Sequence, residues 1–81
     1  MEQRIIDILQ AVFPGMKVQL EIVPGERIWG RVIWAGYADL DDIERQREIR
    51  SVLREKLGED ARQVGLLLTY TPDEMRTMEA A

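Results

Sequence analysis

The side chains that could do chemistry in this chain are few. There is no histidine and no cysteine among its 81 residues. A Ser–His dyad, a thiolate nucleophile and an imidazole or thiolate zinc site are therefore excluded by inventory. Carboxylates, guanidiniums, two lysines, two tyrosines and one serine remain. Ser51 falls inside a helical pattern with no base to activate it. Asp39, Asp41 and Asp42 offer oxygens to a hard cation such as Mg²⁺ or Ca²⁺, but the further ligands and the glycine of a calcium loop are missing. Acids placed just before a helix are explained by capping and by the positive end of the helix dipole. An enzyme built on these carboxylates therefore ranks last among the readings.

Two groups of residues point instead to binding. Arg45, Arg47, Arg50 and Arg54 put four guanidiniums on one predicted helix, where they could face an anion. Glu44, Glu48 and Glu55 are interleaved with them, and the simpler reading is a solvated face with weak ion pairs. The second group is the stretch Arg27 to Trp34. On an alternating strand, Arg27, Trp29, Arg31 and Ile33 share one face, and Ile28, Gly30, Val32 and Trp34 share the other. If helices cover the second set, the first exposes an indole between two arginines, the composition of interface hot spots and of base-stacking platforms. Covering of that side by the first or last helix would remove the surface. Phosphate loops are absent, since Gly25, Gly30 and Gly36 fit neither a P-loop nor a dinucleotide fingerprint. The Gly-x-x-Gly clamp of RNA-binding KH domains is missing too.

The elements that must position these residues are legible from periodicity. Ile5, Ile8, Leu9 and Val12 line one face of a helix over 2–13, ended by Pro14-Gly15. Met16, Val18, Leu20 and Ile22 alternate with Lys17, Gln19 and Glu21, which predicts a half-buried strand over 16–23. Pro24-Gly25-Glu26 turns the chain into a second strand over 27–35, making a hairpin. After a loop over 36–42, Ile49, Val52, Leu53 and Leu57 face the core from a helix over 43–57, which Gly58 closes. A short polar loop leads to a third strand over 64–70, whose Leu66-Leu67-Leu68 run predicts burial on both faces. Thr71-Pro72-Asp73-Glu74 then opens a last helix anchored by Met75 and Met78.

The expected fold is α+β, a two-layer α-β-β-α-β-α domain spanning residues 1–81. Its three-stranded sheet has the helices packed mainly on one face. A chain this short buries only about 60% of the surface it would expose unfolded, so its stability margin is thin. Without cysteine it has no disulfide to compensate, which suits a cytoplasmic setting. Met1-Glu2-Gln3-Arg4 does not read as the start of a signal peptide, so none is expected, and no apolar run approaches membrane-spanning length. The net charge of −4 opposes nonspecific capture of nucleic acid. The charge is uneven, however. Residues 27–57 carry seven basic and six acidic side chains, while residues 58–81 carry two and five. Any anionic partner would dock on the middle of the chain.

From the long helix onward the chain resembles the BolA family. The resemblance is carried by Arg45-Gln46-Arg47, by Ile49, Leu53 and Leu57, and by the run from Val64 through Thr69-Tyr70-Thr71-Pro72-Asp73-Glu74. The family opens this helix with an Arg-His-Arg signature and closes with a His-bearing strand that runs into a Thr-Pro-Glu-like helix start. Its KH-like fold has the element order derived above, so the resemblance in order spans nearly the whole chain. Gln46 stands at the signature histidine. Gln63 stands at the strand-three histidine, if one residue is inserted in the preceding loop. In the family that histidine helps hold iron–sulfur clusters shared with monothiol glutaredoxins. A glutamine amide is a poor ligand for iron, so the fold carries over and the cluster chemistry does not. The expectation is a small noncatalytic protein-interaction module without cofactor, self-associating as a homodimer or docking a protein partner. The alternative is a KH-like nucleic-acid-binding, transcription-associated module.

Overall fold

A computed structural model of the chain describes residues 1–80. Helix α1 (Glu2–Val12) leads to strand β1 (Lys17–Glu21), strand β2 (Ile28–Ile33), helix α2 (Asp42–Leu57), strand β3 (Val64–Tyr70) and helix α3 (Pro72–Ala80). The strands form one sheet in the order β1-β2-β3. β1 and β2 are antiparallel, and β2 and β3 are parallel. A parallel neighbour requires a crossover, and α2 supplies it. No helix among the described residues is long and apolar enough to cross a membrane.

The core lies between one sheet face and the pair α1–α2. Ile5 and Leu9 from α1 and Ile49, Leu53 and Leu57 from α2 meet Ile28, Val32 and Leu67 from the strands. These are the helical and alternating positions that the sequence periodicity picks out. Fully burying such side chains contributes roughly 1.5–3 kcal/mol each, reduced by whatever the unfolded chain already buries. At Gly30, opposite Leu20 in the register, a Cβ would run into the Gln19 carbonyl oxygen. β1 can therefore approach β2 this closely only where position 30 has no side chain.

Several expectations are corrected. β1 ends at Glu21, the last residue with a partner in the ladder. Ile22 and Val23 beyond it are exposed because the chain is already turning. β2 ends at Ile33, and a 3₁₀ turn, Ala35–Tyr37, takes up the end of the expected strand and the start of the 36–42 loop and drives Tyr37 into the core. The polar loop after α2 is also a 3₁₀ segment, Gly58–Gln63. Val12 is exposed at the end of α1, and Met78 is exposed too, so among the described residues of α3 Met75 is the buried apolar anchor. Trp34 is half-buried just past β2 and not deep in the core. It donates from Nε1 to the Pro14 carbonyl at 2.9 Å and packs edge-on against Phe13 and Tyr37. β3 is buried on one face only: Leu67 is covered, whereas Leu66 and Leu68 are open. A triple leucine run does not distinguish a strand covered on both faces from one with an apolar outer face.

Candidate functional site

The outer face of the sheet is assembled by the register. Glu21 pairs with Trp29, Gln19 with Arg31 and Lys17 with Ile33 across β1 and β2. Arg31 then pairs with Leu68 and Ile33 with Tyr70 across β2 and β3. Between Ile28 and Gly30 the β2–β3 register shifts, so that Gly65 and Leu66 together oppose Trp29. Such a bulge re-aims side chains locally. Trp29, Leu66 and Leu68 are 44%, 51% and 43% exposed, forming an open apolar patch on neighbouring strands. Arg31 donates from Nε to Gln19 Oε1 at 2.6 Å, a bond that lies along the same face. Arg27, just before β2, is exposed.

Ile33 does not belong to this open surface. It is only 9% exposed, and it shares a cleft with Pro72, Met75 and Arg76. α3 begins directly after β3 and covers the C-terminal end of the outer face. Ile33 and Met75 are both buried yet stand outside the central core cluster. Leu66 and Leu68 are the surface residues that sequence reasoning missed. Nothing in a run of three leucines marks which of them is left open.

The arginines of α2 do not form one anion-facing row. Arg45 is 5% exposed, too deep for a free ligand. It donates to the carbonyls of Leu40 and Tyr37 at 2.9 and 2.8 Å and to the Glu74 carboxylate at 2.7 Å. Its guanidinium also lies 5.6 Å from the Tyr37 ring centroid. Glu74 reciprocates with Thr71 in a capping box, accepting from the Thr71 N–H and donating its own N–H to Thr71 Oγ1. The Arg45 hydrogen bond, then the Thr71 N–H, hold the Glu74 carboxyl below the usual carboxylate range. Arg47, Arg50 and Arg54 are exposed. Among the described residues the interleaved glutamates form no ion pair with them. Asp41 caps α2, its Oδ1 accepting from the Glu44 N–H at 2.8 Å.

The two glutamines are not brought together as a ligand pair. Gln46 donates from Nε2 to the Leu67 carbonyl at 2.7 Å, tying α2 to β3. Gln63 is exposed at the end of the 3₁₀ segment, near Asp60. An amide committed to a backbone carbonyl and a solvent-facing amide do not fit an iron–sulfur cluster.

No protein-family model and no curated protein matches the chain. Among solved structures, it is similar to a BolA protein homologue from Coxiella burnetii. That match has a TM-score of 0.72 at 20% identity and covers 94% of this chain and 96% of that one. BolA1 from Arabidopsis thaliana matches with a TM-score of 0.68 at 19% identity, covering 89% and 92% of the two chains. At this identity the likeness shows the fold: the chain is BolA-like in architecture throughout.

Proposed function

We propose that this BolA-like chain is a noncatalytic protein-interaction module whose docking surface is the open end of the outer sheet face. The observation that carries the reading is the shared exposure of Trp29, Leu66 and Leu68 on adjacent strands. Three large apolar side chains left uncovered together mark a contact surface more than isolated exposed hydrophobics do. Arg31 shares the strand face of Trp29, whereas Arg27 precedes β2 and turns to the cleft beside α2. The occupant this face fits is a protein surface with an apolar centre and a carboxylate at its rim, since a flanking guanidinium sets orientation and on-rate. The contact would be metal-free, because neither glutamine replaces an imidazole as a ligand.

The test is a Leu66→Ser/Leu68→Ser double variant. Both positions are exposed, so the fold should persist, checked by circular dichroism and a denaturation midpoint. Sedimentation velocity and quantitative cross-linking in native lysate are compared with wild type. The variant should lose the cross-linked partner, or the dimer if the occupant is a second copy. Equal association by both proteins, or none by wild type, overturns the reading.

A further inference from the structure

Arg50 and Arg54, one turn apart on α2, converge with Arg27 and with Arg62 of the 3₁₀ segment around a cleft of about 460 Å³. Glu59 is the single acid in its lining, which leaves a local balance of four positive charges against one negative. The whole chain carries −4. All four guanidinium-bearing residues are exposed, and among the described residues none is in an ion pair. The backbone makes room for one of them. A Cβ at Gly65 would lie 3.3 Å from the Arg27 Cβ, so a bare strand position lets Arg27 lie over β3 toward the cleft.

Stability does not account for this cluster. Like charges four residues apart on a helix repel, so Arg50 and Arg54 disfavour the helix slightly. Arg54 offsets part of that by complementing the C-terminal end of the helix dipole. Arg27 and Arg62 are not on the helix and gain nothing from it. Concave sites lined by one sign of charge concentrate counter-ions. Guanidinium forks arriving from three separate elements suit a compact oxyanion with several oxygens. An extended nucleic-acid strand would call for aromatic stacking platforms along a groove, and no aromatic residue lines this cleft.

We propose that the cleft binds a small phosphate-bearing ligand through Arg27, Arg50, Arg54 and Arg62. This goes beyond the protein-docking surface, because Trp29, Leu66 and Leu68 are not part of its lining. The shared chemistry is a phosphate oxyanion, whether free polyphosphate or the phosphate tail of a nucleotide.

The experiment is calorimetric titration of the full chain at ~150 mM salt, where exposed charges beyond ~8 Å are screened. The probes are pyrophosphate, ATP, citrate and a single-stranded oligonucleotide. Pyrophosphate should bind saturably at one site. ATP matching or exceeding pyrophosphate identifies a nucleotide tail, and pyrophosphate alone identifies free polyphosphate. Arg50→Gln and Arg54→Gln should each weaken binding about tenfold or more, the loss expected for a charge-assisted hydrogen bond. Arg50→Lys should lose less, and Arg47→Gln, outside the cleft, should change nothing. Denaturation midpoints verify that each variant is folded. Absence of saturable binding, citrate binding as well as pyrophosphate, or equal damage from Arg47→Gln overturns the proposal. An oligonucleotide that displaces pyrophosphate at lower concentration overturns it in favour of a nucleic-acid groove.

Discussion

The Glu74 carboxylate accepts both terminal nitrogens of Arg45, Nη1 at 2.7 Å and Nη2 at 3.3 Å, and so joins the start of α2 to the start of α3. The pair is asymmetric: the Arg45 side chain is 6% exposed and that of Glu74 45%. Removing the buried partner leaves the Leu40 carbonyl without its donor and the Tyr37 carbonyl with the Leu40 N–H alone, whereas removing the outer one leaves the guanidinium its bonds to both carbonyls. Arg45→Ala should cost about 3–5 kcal/mol, the range for breaking a buried charged network. Glu74→Gln should cost nearer ~1 kcal/mol, because solvent already screens that side. Denaturant midpoints of the two variants, compared at neutral pH, check the ordering.

The same pair predicts an acid limb. The folded Glu74 carboxyl is held below its ordinary value of 4.5, first by the Arg45 hydrogen bond. Its stabilisation is thus fully present above 4.5 and is lost as pH falls through the lowered folded value, where protonation breaks the pairing. Stability measured against pH below 5 should fall less steeply in Glu74→Gln than in wild type.

Tyr37 predicts the opposite limb. Its ring is fully buried, and its hydroxyl has no hydrogen-bond partner. Burial, then the negative charge of Glu48, pushes its pKa from 10.0 up to about 12, against a lowering by Arg45. The unfolded chain therefore ionises first as pH rises. The stabilisation is intact below about 10 and is lost between there and the folded value. In Tyr37→Phe the alkaline fall should flatten. Neutral-pH stability should be unchanged or higher by about 1 kcal/mol, since an unpaired buried hydroxyl is removed. Thermal melts from pH 7 to 11.5 test both.

The two tryptophans should respond differently. Trp34 packs against Phe13 and Tyr37 with ring centroids at 5.1 and 5.3 Å and donates to Pro14. Trp34→Ala should cost about 3 kcal/mol and threatens the fold of so small a chain. Trp29, 44% exposed, should cost under ~1 kcal/mol on truncation while weakening partner contact. A denaturation midpoint and a sizing profile for each variant separate the roles. Equal destabilisation would place Trp29 in the core and remove the proposed surface.

Local chemistry was enough to read the element order, the inward faces of α2 and β2, that of α1 apart from Val12, and the capping box of α3. Each depends on residues within a few positions of one another. Ile49, Leu53 and Leu57 lie on one side of a helix whatever it packs against, and Thr71 and Glu74 are three residues apart in any environment. The parity of β2 likewise separated Trp29 from Val32 before any fold was known. What lies on top of a face is a different matter, because it depends on where distant segments return. α3 covers Ile33 but stops short of Trp29, and no period-two pattern records that difference. Leu66 and Leu68 read as core because hydrophobicity reports what a side chain would gain on burial, not whether a neighbour arrives. Arg45 sits among three other arginines in the helix, yet only its position against Tyr37 and Glu74 takes it out of solvent. The remaining charges of the arginine cleft come from separate elements, before β2, along α2 and from the 3₁₀ segment. Their convergence is a property of the crossover packing, which brings residues far apart in the chain around one space.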